Sequence, residues 1–146
     1  MKIMVINGPN LNMLGIREPE IYGGKTYSDL EEYIESYGEE KGVETVVLQS
    51  NSEGEIIDFI HHSLNNYDGI VINPGAYTHY SYAILDALKS VDVPTIEVHL
   101  SNIHKREEFR HKSVTASACI GQICGLGFKG YRLAMDYLMD EVKTDD

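Results

Sequence analysis

Two short segments of this chain gather the side chains that proton chemistry needs. One reads Asn73-Pro74-Gly75-Ala76-Tyr77-Thr78-His79 and the other Glu97-Val98-His99-Leu100-Ser101-Asn102. Each closes an apolar run rich in Val or Ile. Glu97 and His99 are two apart, a spacing that on a strand puts both side chains on the same side. A carboxylate beside an imidazole favours its protonated form and fixes its tautomer. His99 is therefore a candidate general acid near neutral pH. A lone histidine is more often a satisfied structural group, and the Glu97 partner is what raises His99 above that. Arg106 and Arg110 follow within one or two helical turns. An inventory of Asn, His, Tyr, Ser, Glu and Arg, with no Lys and no Cys, suits a polyhydroxylated carboxylate. Arg pairs with the carboxylate in bidentate fashion, and amides and hydroxyls match the sugar-like edge.

The elements that would position these groups follow from periodicity. Strands are expected at Lys2–Ile6, Glu44–Gln49, Gly69–Ile72, Thr95–His99 and about Ala116–Cys124. Continuous apolar runs such as Ile70-Val71-Ile72 mark strands buried on both faces. Helical faces come from Tyr27, Leu30, Tyr33, Ile34 and Tyr37, from Ile56, Ile57, Ile60 and Leu64, and from Tyr80, Ile84, Ala87 and Leu88. Asn102–Arg110 reads as a short helix, and a last helix spans Phe128 to Val142. Strands alternating with helices give an α/β domain with a parallel sheet covered on both faces. Right-handed crossovers make it doubly wound and flavodoxin-like. The ends of strands one, three and four then share one edge, where Asn7–Asn10, Asn73–His79 and Glu97–Asn102 converge on a cleft.

One stretch, about residues 8–25, is too long for a plain connection. Loops beyond about 12–15 residues are usually functional or disordered. This one follows the first strand and carries Asn10, Arg17 and Tyr22, so it reads as a binding loop with a lid. The whole chain, 1–146, reads as a single domain that includes this loop and ends in an acidic tail from about residue 141.

Composition excludes several function classes. The chain has 146 residues, a net charge of -11 and four arginines. Nucleic acid is a poor partner for it, because phosphate binding needs clustered Lys and Arg. An anionic ligand would be drawn by local arginines against the overall field. No stretch approaches the roughly 20 apolar residues of a membrane span. MKIMVING reads as a strand and not as a signal peptide, and a cytoplasmic location is the default. Cys119 and Cys124, five apart on the expected last strand, would point to opposite faces and read as small buried hydrophobes. Six histidines are present, but none shows HExxH or a comparable ligand spacing. His61 and His62 are adjacent on a helix and point apart. Gly125-Leu126-Gly127-Phe128-Lys129-Gly130 is formally G-x-G-x-x-G. Too little chain comes after it for a dinucleotide fold, so it reads as close packing of strand on helix.

Several blocks carry a resemblance. Asn7 to Gly23 (NGPNLNMLGIREPEIYG), Gln49 to Glu55 (QSNSEGE), Asn73 to His79, Glu97 to Arg110 and Gly125 to Leu133 (GLGFKGYRL) occur in this order. Together they resemble the type II 3-dehydroquinate dehydratases across essentially the whole chain. Met13 and the run Ser117 to Cys124 are mild departures. The resemblance implies strand order 2-1-3-4-5 and trimers that assemble into a dodecamer. It implies a lyase that dehydrates 3-dehydroquinate to 3-dehydroshikimate with no cofactor and no Schiff base. Aromatic biosynthesis through chorismate (the shikimate pathway) and quinate breakdown both stay open as the product's destination. Tyr22 resembles the base that removes a proton next to the ketone, and Arg17 the group that favours tyrosinate. Asn10 resembles the residue holding a water near the enolate oxygen. His99 resembles the general acid, oriented by Glu97. Asn73, His79, Leu100, Ser101 and Arg110 resemble the substrate-binding set. Asp86 resembles a group supplied to a neighbouring subunit, and Arg106 a support for the lid. Free Tyr titrates near 10, so ionising it at pH 7 takes about 4 kcal/mol. Arg17 in a closed, water-poor site could supply much of that.

Two other classes share the expected sheet. A flavodoxin-like binding module would need a Ser/Thr-rich phosphate loop where this chain has Gly8-Pro9-Asn10-Leu11-Asn12. A signalling receiver would end its third strand in Asp, where this chain has Asn73. A third alternative, a scaffold that has lost its chemistry, is disfavoured because every presumed catalytic position is filled.

Overall fold

The computed structural model describes residues 1–16, 20 and 24–144. Five strands, β1 (Lys2–Asn7), β2 (Glu44–Gln49), β3 (Gly69–Asn73), β4 (Thr95–His99) and β5 (Gly121–Cys124), form one sheet in the order β2-β1-β3-β4-β5. All pairs are parallel, with Asn7 opposite Asn73 and Ile72 opposite Glu97. The expected doubly wound architecture is what the chain adopts.

Side-chain alternation along the strands builds two cores. Ile3, Val5, Val71, Ile96 and Val98 pack against helices α1 (Tyr27–Lys41) and α4 (Lys129–Thr144). Met4, Ile6, Ile70 and Ile72 pack against α2 (Glu53–Ser63) and α3 (Tyr82–Val91). Local signals set the helix ends. Thr26 and Asp29 form a reciprocal capping box on α1, and Gly42, at φ 70°, closes it in the left-handed conformation glycine tolerates. Ser52 and Ser81 cap α2 and α3 through their hydroxyls.

Five expectations need correction. Ala116–Ala118 is a 3-10 turn and only Gly121–Cys124 is strand. The amides of Ala118 and Cys119 bond back to Thr115 and Ala116, which takes the small residues out of the sheet. Cys119 therefore lies outside the strand, and the opposite-face argument does not describe it, although both cysteines are free. Asn102–Arg110 is not one helix. It makes two 3-10 turns, Ile103–Lys105 and Glu108–Arg110, broken where Arg106 is extended. The third helix begins at Tyr82, because Gly75–His79 forms its own 3-10 turn and Ser81 caps the helix after it. At the other end, α4 continues through Thr144, into the segment read as a tail.

The Gly125–Gly130 run packs as expected. A Cβ on Gly130 would meet Val98 and Ile123 side chains at 3.3 and 3.4 Å, and Gly125 lies at φ 86° against Asn102. Among the described residues, no helix is long and apolar enough to cross a membrane.

Candidate active site

Alternation turns Glu97 and His99 away from the α4 core, toward the face carrying α3. There the connection Ser113–Thr115 and the turn holding Thr78, both hydroxyl-rich, lie against Glu97. The imidazole Nε2 of His99 donates to Glu97 Oε2 at 2.9 Å. Ser113 Oγ (2.8 Å), Gln122 Nε2 (2.6 Å) and Thr78 Oγ1 (3.2 Å) donate to the same oxygen, and Thr115 Oγ1 to Oε1. Glu97 is fully buried. Burial alone would raise its pKa. The hydrogen bond and charge of His99, with those from Thr115 and Ser113, outweigh burial and hold the carboxyl below its usual range. This buried negative charge is felt nearby. Burial first, and then Glu97, push the thiols of Cys119 and Cys124 up to about 12 and about 11. Both stay protonated and unreactive at neutral pH.

With Nε2 engaged, Nδ1 is the His99 nitrogen left for the cleft. The cleft encloses about 680 Å³, counting space open to solvent, a size suited to a small ligand. Asn10, Asn73, His79, Leu100, Ser101, Arg106 and Arg110 surround it alongside His99. His79 Nδ1 donates to the Lys112 carbonyl at 2.7 Å, which leaves its other nitrogen unused by that bond. Arg106 Nη1 reaches Ser101 Oγ at 3.4 Å. Arg110 stacks over Phe109 at 4.7 Å and pairs with Glu107 at 3.3 Å. The two 3-10 turns present both guanidinium groups to one wall, which gives the cleft local positive charge in an acidic molecule.

The opposite wall rests on a buried amide pair. Tyr131 reaches up from α4 and donates its hydroxyl to Asn7 Oδ1 at 2.7 Å, while Asn73 Nδ2 donates to that hydroxyl at 3.0 Å. Asn73 Oδ1 accepts from the Gly75 amide at 3.1 Å. Among the described residues, one amide hydrogen of Asn73 is left for a ligand. The β1 loop lies directly against this wall. A Cβ on Gly8 would sit 2.5 Å from the Pro74 carbonyl oxygen, so only glycine lets the two backbones approach.

The model of the family described as dehydroquinase class II matches residues 1–139. The chain belongs to that family. A relative named 3-dehydroquinate dehydratase, from Clostridium perfringens strain 13, is 66% identical over 145 residues, covering 99% of each chain. Another of that name, from Thermotoga maritima, is 57% identical over 143 residues and covers 98% of each. Among solved structures, the type II dehydroquinase of Butyrivibrio crossotus superposes with a TM-score of 0.93 at 60% identity, covering 94% of this chain and 97% of its own. That of Propionibacterium acnes gives 0.91 at 49%, covering 94% of each. The protein is thus an enzyme of the class II dehydroquinases.

Of the residues the sequence nominates for this dehydroquinase, the cleft brings together Asn10, Asn73, His79, His99, Leu100, Ser101, Arg106 and Arg110. Glu97 sits behind His99. Asp86, exposed on α3, is absent from this chain's cleft. Arg17 and Tyr22 lie outside the described residues, as does most of the expected lid. Sequence reasoning missed Thr78, Ser113, Thr115 and Gln122, the neutral donors around Glu97. The one available signal was Gln122, a polar residue on a strand whose register places it beside Glu97. It also missed Tyr131, a tyrosine on an otherwise apolar helix face.

Proposed function

We propose that this enzyme dehydrates 3-dehydroquinate to 3-dehydroshikimate. The observation that carries the reading is the buried Glu97–His99 pair, opening into a cleft walled by Asn10 and two arginines, in a chain of this family. In the proposed reaction, tyrosinate at Tyr22 removes a proton from the carbon next to the ketone and the electron pair moves into an enolate. Asn10 holds a water against the enolate oxygen. The enolate collapses, the carbon–oxygen bond to the hydroxyl breaks, and His99 supplies the proton that makes it water. Glu97 keeps the imidazolium oriented with its proton toward the leaving group.

Arg17, on the same connection in sequence as Tyr22, favours the tyrosinate, and Arg110 takes the substrate carboxylate with Ser101 and the Leu100 backbone. His79 and the remaining Asn73 hydrogen bind ring hydroxyls, and Arg106 supports the lid. Tyr27, the other tyrosine near this loop, is a poor substitute base. Burial raises its phenol, a hydrogen bond from Asn7 only partly opposes this, and the charges of Glu31 and Glu35 add to the rise. An exposed Asp86 outside its own cleft fits a group offered to a neighbouring subunit, in trimers that build a dodecamer working in the cytoplasm. No cofactor enters this scheme.

The test is ultraviolet absorbance of the purified protein with 3-dehydroquinate and a chelator, following the conjugated enone of the product. We expect a rising signal that survives the chelator and falls by at least about 10²-fold in Tyr22→Phe, the low end for a general base. A flat trace from folded, assembled protein would overturn the substrate assignment. A substantially active phenylalanine variant would overturn the base.

A further inference from the structure

Asn10 sits in the cleft on an unusual backbone. Its φ and ψ are 71° and -3°, the left-handed region, and it is not a glycine. A side chain held there needs its surroundings to specify it. The specifying contact comes from another connection altogether. The Asn10 backbone N–H donates to the side-chain oxygen of Asn51, 41 residues away, at 3.0 Å. The same oxygen accepts from Gln49 Nε2 at 3.1 Å, and Gln49 Nε2 also donates to the Gly8 carbonyl at 3.2 Å. Asn51 is itself held, because its backbone carbonyl accepts the Tyr77 hydroxyl at 2.8 Å. Asn51 thus ties the β1 loop and the end of β2 through its side-chain carbonyl, and the turn after β3 through its backbone carbonyl, at the point where Asn10 faces the cleft.

We propose that Asn51, in the connection between β2 and α2, is a positioning residue for the dehydration: it fixes the left-handed backbone of Asn10 and so aims the Asn10 amide at the reacting centre. This rests on the proposed dehydration and adds a residue to it that touches no substrate. Asn51 acts as an acceptor of two N–H groups. An aspartate carboxylate at the same place accepts both, and a leucine accepts neither.

That difference separates positioning from mere loop support. Asn51 is exposed, so its replacement leaves both cores intact. Steady-state kinetics on 3-dehydroquinate would compare wild type, Asn51→Asp and Asn51→Leu, with Asn51→Ala as the second acceptor-free variant should leucine misfold. We expect Asn51→Leu to lose about 10- to 100-fold in kcat with KM changed by less than about threefold, the pattern of a lost transition-state interaction. Asn51→Asp should keep kcat within about threefold, while its added negative charge raises KM for an anionic substrate. Unimpaired kcat in the acceptor-free variants overturns the inference, and so does an aspartate variant as slow as leucine. Wild type without turnover overturns the functional reading and this inference with it. An active wild type beside an unimpaired leucine variant sinks the inference alone.

Discussion

Replacing Glu97 by glutamine removes one charge and almost no volume, which isolates what the buried carboxylate does. Four donors meet Oε2 (His99, Thr78, Ser113 and Gln122) and one, Thr115, meets Oε1. The glutamine can place its oxygen on the crowded side and turn its NH₂ toward Thr115, whose hydroxyl can accept. The bonds survive and their charge assistance does not. A hydrogen bond to a charged group contributes about 1.5–3 kcal/mol, against about 0.5–1.5 for a neutral one. Over these bonds the loss is about 5 kcal/mol. Burying a carboxylate costs several kcal/mol, and the variant is spared that cost. Because the carboxyl is held below its ordinary value, the charged form is the one folding favours. The first effect therefore outweighs the second, and the variant should be less stable at pH 7 by about 2 kcal/mol. A group whose pKa is lowered by folding stabilises above its unfolded value, near 4.5, and loses that contribution as pH falls through the folded value. The gap between wild type and Glu97→Gln should be open at pH 7 and close in acid. Urea midpoints by circular dichroism at pH 7, 5 and 3.5, at one protein concentration, measure it. A gap unchanged across this range, or a variant as stable as wild type at pH 7, would refute the assignment of a charged, donor-stabilised Glu97.

Tyr131→Phe removes a fully buried hydroxyl and strands the Asn7 and Asn73 amides, so it should cost about 2–3 kcal/mol in a urea titration. A loss under about 0.5 kcal/mol, the size of an ordinary surface change, would mean those amides find other partners. Arg17→Ala should lose mainly kcat and Arg110→Ala mainly KM, measured on 3-dehydroquinate. Comparable losses in both parameters for both variants would contradict the division between tyrosinate support and carboxylate binding.

The central strands were legible because parallel strands buried on both faces have no polar alternation to confuse, and Ile70-Val71-Ile72 admits little else. The strand-end rule then placed Asn10, Asn73 and His99 together from the sequence alone. The features that escaped reading depend on tertiary closure. Thr115-Ala116-Ser117-Ala118 has no apolar period of its own, and its turn forms because Ser113 and Thr115 are drawn to Glu97 on another strand. Asn102–Arg110 has helical composition, but Asn102 caps the His104 amide and the chain re-extends at Arg106, which sends both arginines to the cleft. Neither event is local, so neither leaves a periodic signature.

The two ends of the proposed reaction are therefore built differently. The acid end is Glu97 and His99 on one strand of the sheet, fixed by donors from β5 and two connections and buried with the fold's own core. Its perturbation must appear in stability and turnover together. The base end, Tyr22 with Arg17 and Asn10, is carried on the long connection after β1, and the contact holding Asn10 is an exposed amide cluster. Asn10 and Asn51 are both exposed, so changes at that contact can remove turnover while the cores stay intact, whereas Leu14 of the same connection is buried in the core beside α1 and α4 and ties that part of it to folding, as Glu97 is tied.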